Sequence, residues 1–305
     1  MVNLLQALLS GLALGGIYAL VALGFSITHT TTQTLNFGQG EFLVAGSFIA
    51  VATLLLLSGK GHTGVLAAGD VTLGTYGLAM IASLVVLALL GVVLYFTAVR
   101  PFFGATGMAW VMSTIGFGII VQNTALAIWG PGSIAMPSPL GDDIIRVAGA
   151  GIRPQEILVL AVTAVVMLAL DYVLRRTKIG KAVRAVAANK GAAALMGINV
   201  SAIVVLAFVV SSGLAGLAGL LVAPITTASV FMGLAIALKA FSSAIVGGLT
   251  SPRGCIAGGF LLGCIEALVG LWRAELREIT IFVLIILVLV IKPEGLFGQK
   301  PFEKV

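Results

Sequence analysis

Long apolar stretches divided by short polar segments run along the whole chain. Most of the stretches approach or exceed the roughly 20 residues that a helix needs to cross the apolar part of a bilayer. The pattern predicts an all-α bundle of about eight or nine transmembrane helices, some of them possible half-helices, in one domain covering residues 1–305. The predicted apolar segments are 4–28, 42–57, 73–99, 108–129, 156–174, 202–222, 231–249, 254–270 and 279–291.

Three parts of this pattern are less regular. The polar run 28–34 is predicted to be a break after the first helix. Segment 231–249 is compatible with a crossing helix or with a re-entrant half-helix, which is tolerated where it is buried in protein or lines a cavity. Segment 279–291 would be only about 20 Å long as a helix. We therefore expect the final crossing to be short or to extend into the charged loop 272–278.

The composition supports a membrane protein and excludes several other classes. The chain is 60% hydrophobic and 9% charged, whereas soluble domains carry about 25% charged residues. Its net charge of +6 does not indicate nucleic-acid binding, because the basic excess is concentrated in one loop. Two cysteines and two histidines give no disulfide framework and no metal-ligand spacing. We expect no metal and no cofactor bound by this chain.

The basic loop 175–199 predicts the orientation of the helices. Six of the 17 Lys and Arg residues lie between Arg175 and Lys190, with no acidic residue among them. The positive-inside rule assigns such a loop to the cytoplasm. By alternation, the loop 130–154 and the N-terminus are expected outside. The C-terminus and most other basic side chains are expected inside, including Arg100, Arg253, Lys292, Lys300 and Lys304.

The same loop contains a predicted amphipathic helix, bracketed by Gly180 and Gly191. At 100° per residue, its apolar side is formed by Val183, Val186 and Ala187. Its other side combines small and basic residues, namely Lys181, Arg184, Ala185 and Ala188. We interpret it as a helix that packs on its own protein and offers a basic side to a partner. The alternative is a solvated loop that only orients the helices.

Ionisable residues within apolar segments are costly, and they often mark a pathway or a partner. Three stand out here: Glu41, Lys239 and Glu266. One interpretation is a polar lining to a translocation pathway, with Asn36, Gln39, Glu41, Gln122, Asn123 and Lys239 as candidate residues. The other is structural, with interhelical hydrogen bonds and an ion pair between Lys239 and one of the glutamates. The structural interpretation is favoured for Glu266.

No motif for catalysis or nucleotide binding is present. The chain contains no H-E-x-x-H or G-x-S-x-G sequence. Neither Gly59-Lys60 nor Gly180-Lys181 is followed by the Ser or Thr of a P-loop. We therefore expect a transport protein rather than an enzyme, without an ATPase site of its own.

Several motifs resemble one known family. They are Gly-Gly-Ile-Tyr-Ala-Leu-Val-Ala-Leu-Gly (15–24), Asn-Phe-Gly-Gln-Gly-Glu (36–41), Gly-Lys-Ala-Val-Arg-Ala-Val-Ala (180–187), Leu-Met-Gly-Ile-Asn (195–199), Leu-Lys-Ala-Phe-Ser-Ser-Ala-Ile-Val-Gly-Gly (238–248) and Pro-Glu-Gly-Leu-Phe-Gly (293–298). In this order they resemble the H-type permease subunit of branched-chain amino acid ABC importers. The family usually has Asn-Phe-Ala-His-Gly where this chain has Asn36-Phe37-Gly38-Gln39-Gly40. Because of this difference, the resemblance does not determine the substrate.

The resemblance implies a set of partners in a bacterial inner membrane. The basic loop would be the coupling element that docks on an ATPase subunit, with Gly180, Lys181, Arg184, Ala185 and Ala188 as contact positions. A second, M-type permease, two ATPase subunits that bind the ATP, a periplasmic binding protein and membrane lipid would complete the assembly, without nucleic acid. Related permeases carry urea, short amides or aromatic acids. A rival from another class is a self-sufficient secondary transporter or channel that relays protons through Glu41, Lys239 and Glu266.

Overall fold

The computed structural model describes residues 2–61, 64–102, 109–141, 143–147 and 149–298. Within these ranges the chain is an all-α bundle with one small β-hairpin, which confirms the predicted fold class. His62, Asp142, Lys300 and Lys304 lie outside the described residues. The helices are α1 (Val2–Thr32), α2 (Gln39–Leu57), α3 (Leu73–Leu94), α4 (Ala109–Trp129), α5 (Pro154–Arg176), α6 (Lys178–Ala188), α7 (Lys190–Leu195), α8 (Val200–Thr226), α9 (Met232–Gly247), α10 (Pro252–Trp272) and α11 (Leu276–Ile291).

Seven of the described helices are long and apolar enough to cross a membrane. They are α1 to α5, α8 and α10, with α3 continuing through a π-helical turn (Tyr95–Val99) and a 3-10 turn (Arg100–Phe102). The helices α9 and α11 have 16 residues each. They are too short to span the bilayer core alone, since each residue adds about 1.5 Å.

The break predicted at 28–34 begins later in the structure, because α1 continues to Thr32 and only residues 33–34 of the run are non-helical. The hydroxyls of its threonines donate to backbone carbonyls one turn earlier: Thr28 to Gly24 at 3.0 Å, Thr30 to Ser26 at 2.6 Å, and Thr31 to Ile27 at 3.0 Å. A hydroxyl that is satisfied inside its own helix needs no water. The polar composition of this run therefore does not interrupt the helix.

Glycines allow the central helices to touch through their backbones. A Cβ atom on Gly263 of α10 would collide with the backbone of Gly11 and Gly15 on α1. A Cβ atom on Gly46 of α2 would likewise meet the backbone of Gly216 on α8. Close backbone approach at small residues is how membrane helices associate without a hydrophobic driving force. Gly11 and Gly15, one turn apart on α1, therefore form a packing stripe for α10.

The bundle has two distinct ends. The α6 end carries α6, α7, the last turns of α1 and α5, and the first turn of α10. The opposite end carries the first turns of α1 and α5, where the hydroxyl of Ser10 donates to Glu156 at 2.9 Å. It also carries the end of α8, where Ala228 pairs with Ile134. In the loop before α5, β1 (Ile145–Val147) and β2 (Ala150–Ile152) form an antiparallel hairpin with Arg146 opposite Gly151.

The two short helices still join opposite ends of the bundle. The non-helical segment 227–231 leaves α8 at the opposite end, and the turn after α9 lines a cavity at the α6 end. Segment 231–249 therefore connects the two ends of the bundle and is not re-entrant. The connection consists of the non-helical residues 227–231 followed by the short helix α9. After α11, the backbone N–H of Leu296 donates to Val246 at 2.8 Å. Because α11 begins at Leu276, the last helix extends into the charged loop, as expected.

Candidate functional site

The corner between α5 and α6 is made by a single residue. Helix α5 ends at Arg176 and α6 begins at Lys178, so only Thr177 joins them. The Thr177 hydroxyl donates to the carbonyl of Val173 at 2.6 Å and accepts from the backbone N–H of Gly180 at 3.2 Å. Such a cap satisfies one of the free N–H groups at the start of a helix. The first turn of α6 is therefore tied to the last turn of α5.

Helix α6 has the two-sided character that its sequence predicts. Val183 and Val186 are buried against the bundle, whereas Lys181 and Ala188 are exposed and Ala185 is half-buried. Gly180 departs from the prediction, because it is buried. A Cβ atom there would collide with the carbonyl oxygens of Val173 and Leu174. Gly180 therefore allows α6 to pack closely on α5 and does not belong to the outward side.

Arg184 is exposed, but its guanidinium turns back toward its own chain. It donates to the carbonyl oxygen of Leu174 near the end of α5. Cations near a helix C-terminus are favoured, because the last carbonyls have no partner within the helix. The outward side of α6 consequently consists mainly of Lys181, Ala185 and Ala188, which is small and basic.

The predicted helix does not continue through Gly191 without a break. Asn189 ends α6 and caps α7 by accepting from the backbone N–H of Ala192 at 3.0 Å. Lys190 then donates to the carbonyl oxygen of Thr32 at 3.0 Å. Its partial burial lowers the pKa of the Lys190 ammonium. The basic loop is therefore anchored to the end of α1 as well as to α5.

Inside the bundle, Asn36 and Gln39 belong to a fully buried hydrogen-bond cluster at the start of α2. The Gln39 amide donates to the carbonyl of Ser211 on α8 at 3.0 Å and accepts from the Ser211 hydroxyl at 2.9 Å. Asn36 donates to Gln39 at 3.4 Å. These bonds account for the polarity of both predicted residues, since buried polar groups need partners. They hold α2 against α8.

Glu41 lies in the same first turn of α2, two residues after Gln39, beside Gly118 of α4. Its side chain is half-buried, and its buried Oε2 has no hydrogen-bond partner among the described residues. Gln122 of α4 donates to the carbonyl of Val230 at 3.4 Å. Asn123 is exposed and donates to Ile119 in its own helix at 2.8 Å. The boundary between α2 and α4 thus carries a carboxylate with one buried oxygen that lacks a partner among the described residues, together with the amides of Gln122 and Asn123.

Lys239 is separated from these residues. It forms an ion pair with Glu266 of α10 at 2.5 Å, and the Tyr18 hydroxyl of α1 donates to the same carboxylate at 2.8 Å. The predicted ion pair with a glutamate is confirmed. Lys239 lies on the α10 side of α9, while Gly233 of the same helix meets Gly40 of α2. A charge relay from Glu41 to Lys239 would have to pass across α9.

Sequence reasoning did not single out Tyr18, Thr177 or Ser211. Tyr18 is a lone hydroxyl in an apolar helix, and Ser211 is half of a serine pair. Either could have signalled a buried hydrogen bond, but neither pattern identifies the partner. Among the described residues, no three His, Cys, Asp or Glu side chains form a group that could hold a metal ion.

Comparison with known proteins identifies the family. The family model described as branched-chain amino acid transport system / permease component matches residues 7–289. The chain belongs to this permease family. It is 31% identical to the high-affinity branched-chain amino acid transport system permease protein BraD of Pseudomonas aeruginosa, covering 99% of this chain and 98% of BraD.

Two further relatives show the range of similarity. The permease protein LivH of Salmonella typhimurium, from a system of the same description, is 30% identical over 99% of this chain and 97% of its own length. The D-allose transport system permease protein AlsC of Escherichia coli is 27% identical over 79% of this chain and 76% of its own length. The chain is therefore a membrane permease component, and its relatives serve solutes of different chemistry.

Proposed function

We propose that this permease is the H-type subunit of an ABC importer for branched-chain or other hydrophobic amino acids, and that α6 docks on a separate ATPase subunit. The substrate class rests on the descriptions of BraD and LivH. The docking role rests on the two-sided α6. Its inner side is buried against the bundle, and its outer side presents Lys181, Ala185 and Ala188.

The proposed assembly contains a second permease of the M type, two ATPase subunits and a periplasmic binding protein in a bacterial inner membrane. ATP is bound by the ATPase subunits, and this chain needs no cofactor. The α6 end faces the cytoplasm, because the basic residues of 175–190 are gathered there. The N-terminus is then outside, and α11 returns the chain to the cytoplasmic side.

The proposed mechanism transmits force through the α5–α6 corner. Contacts between α6 and the ATPase that differ between the ATP-bound and ATP-free states bias the bundle toward one of two arrangements. Because only Thr177 separates the two helices, a displacement of α6 moves the end of α5. Repacking of the helices then opens the pathway to each side in turn.

The boundary between α2 and α4 is the proposed pathway wall. Glu41, Gln122 and Asn123 are its polar positions, because the carboxylate has an unpartnered oxygen and Asn123 is exposed. Asn36 and Gln39 support this wall through their bonds to α8. Lys239 contributes by fixing α9 to α10.

The docking role is tested by charge reversal on the outward side of α6. Lys181→Glu and Ala185→Glu, reconstituted with the ATPase and binding-protein partners, should reduce ATP-driven uptake at least about tenfold, the cost of losing an interface hot spot. Because both positions point outward, the melting temperature of the isolated chain should hold. Arg273→Glu reverses a charge that is exposed like that of Lys181 but lies at the opposite end, and it is the matched control for Lys181→Glu. Wild-type uptake by both α6 variants would refute the docking role.

The orientation is tested separately by labelling. A cysteine at Lys181→Cys should react with a membrane-impermeant maleimide only in inside-out vesicles, and one at Arg273→Cys only in right-side-out vesicles. The two native cysteines are replaced by alanine first. The reverse pattern would overturn the assignment of the α6 end to the cytoplasm.

The rival transporter of another class retains one supporting observation, the unpartnered oxygen of Glu41. The chain alone in liposomes, without ATPase subunits, provides the discriminating measurement. Gradient-driven solute flux that is lost in Glu41→Gln would support the rival. We expect no flux above that of empty liposomes, because the helices of the proposed permease repack only when the ATPase subunits bind and hydrolyse ATP.

A further inference from the structure

A large basic cavity opens at the α6 end of the bundle. It has a volume of about 1080 Å³ and lies between the ends of α1 and α5, one side of α6 and the turn that precedes α10. Four arginines line it, and Asp171 is the one acidic residue among the described residues of its wall. The arginines are Arg175, Arg176, Arg184 and Arg253.

Asp171 organises two of these arginines and does not neutralise the cavity. Both Nε and Nη2 of Arg253 donate to its carboxylate at 2.9 Å, and Nε of Arg175 lies 3.1 Å from it. Four arginines against one aspartate leave three positive charges uncompensated. Arg176 makes no hydrogen bond or ion pair with the described residues. Forked guanidinium groups in such a cluster match the geometry of a phosphate group.

An apolar stripe leads along α5 to this cavity. Val165, Leu168 and Tyr172 are each at least 64% exposed, and their spacing of three and four residues puts them on one side of the helix. Arg175 and Arg176 continue the same side in the last turn. The helix thus presents an apolar surface within the span and two arginines where the span ends, at the depth of lipid headgroups.

We propose that this cavity binds the phosphodiester headgroup of an anionic phospholipid, whose acyl chains lie along Val165, Leu168 and Tyr172. The charge of the cavity selects an anion, and the adjoining apolar stripe selects one that carries hydrocarbon. Basic pockets between transmembrane helices are suited to such headgroups. Ala188 lines the cavity but Lys181 and Ala185 do not, so the lipid leaves these two outward positions of α6 free.

The test uses the purified full chain alone, so it does not depend on the proposed importer. Native mass spectrometry compares retention of phosphatidylglycerol and phosphatidylcholine with identical acyl chains. Wild type should retain the anionic lipid in clear preference. Arg176→Gln should weaken that retention about fivefold, the value of one basic residue near an anionic lipid. Because Arg176 holds no partner within the described chain, its loss should leave the fold intact.

Two variants sharpen the test. Asp171→Asn removes the single acidic group of the wall and should strengthen retention of phosphatidylglycerol. Arg100→Gln makes the same charge change as Arg176→Gln at the same end of the bundle, where Arg100 lies over the ring of Phe96 at 5.6 Å, outside the cavity. It should leave lipid retention unchanged.

Four outcomes would overturn the proposal. One is equal retention of the two lipids by wild type, and another is an equal loss in Arg100→Gln and Arg176→Gln. A third is full displacement of the lipid by sn-glycerol 3-phosphate, which would identify a site for a soluble phosphate. The last is displacement by an added ATPase subunit, which would assign the cavity to a protein interface.

Discussion

The crossing of α1 with α10 and the corner between α5 and α6 both depend on glycine, yet they are completed differently. At the crossing, Gly11 and Gly15 meet Gly259 and Gly263, so that each helix finds its partner within the chain. At the corner, Gly180 seats α6 on α5 from one side only, and the other side of α6 stays exposed. A contact in which both helices are packed within the chain contributes to stability. A helix that is packed on one side only has its exposed side available to a partner.

The largest effect is expected from filling the crossing. Gly263→Leu would drive a side chain into the backbone of Gly11 and Gly15. Overpacking of a close-packed contact costs about 1–3 kcal/mol and more where backbone must move. We expect no monodisperse protein by fluorescence-detected size-exclusion chromatography. Gly116→Leu, on α4 with nothing within 4 Å of the added Cβ, should behave as wild type. Equal behaviour of the two variants would contradict the backbone contact.

The next effect concerns the ion pair that accompanies the crossing. Lys239→Met would leave the buried Glu266 carboxylate with Tyr18 as its remaining partner. Breaking one side of a buried pair costs about 3–5 kcal/mol, because a charge is left uncompensated. The melting temperature in detergent should fall accordingly. Adding Glu266→Gln should recover more than half of the loss. If the single and double variants have the same melting temperature, the loss does not come from an uncompensated carboxylate.

A smaller effect is expected at the corner. Gly180→Ala would place a methyl group against the carbonyls of Val173 and Leu174, which should lower stability by about 1 kcal/mol. Its main result should be weaker coupling of ATP hydrolysis to uptake, because α6 no longer seats on α5. Gly191→Ala is the matched control, since its new Cβ would meet only Asn189 Oδ1 at 3.4 Å. It should stabilise α7 by about 0.5–1 kcal/mol. Identical coupling in both variants would argue against the corner as a transmitter.

The smallest effect on stability is expected on the outward side of α6. Lys181→Gln removes an exposed charge, and surface substitutions are usually within about 0.5 kcal/mol. Thermal melting of the isolated chain should therefore be unchanged, while binding of the ATPase subunit should weaken and lose part of its salt dependence. A clear loss of stability would mean that Lys181 belongs to the fold.

The comparison also explains which features are readable from the sequence. Helices that contact each other through their backbones have a recognisable sequence pattern, such as the glycines at four-residue spacing on α1 and α10. The amphipathic α6 leaves a pattern as well, through Val183 and Val186. The inward position of Gly180 does not, since it depends on the direction in which the chain bends at Thr177, and helical spacing within α6 carries no information on that bend.

The polar residues show the same limit. An ionisable residue in an apolar run is easily noticed, but its partner is far away in sequence. Glu266 finds Lys239 and Tyr18, whereas the buried oxygen of Glu41 finds no partner among the described residues. The threonines of α1 mislead a composition-based prediction for the opposite reason, because their partners are only one turn away. The helical class and most helix positions were predictable from the sequence, while the contacts that decide each residue's role were not.

Because Thr177 alone joins α5 to α6, the two helices cannot move far apart from each other. Consecutive Cα atoms are a fixed 3.8 Å apart, so α6 cannot travel without carrying a rod of 23 residues, about 35 Å long. At the far tip of that rod, Gln155 donates to the Tyr76 hydroxyl at 3.2 Å and to the Leu221 carbonyl at 3.1 Å. A movement of α6 at one face of the bilayer would therefore break these two hydrogen bonds of Gln155 at the other face.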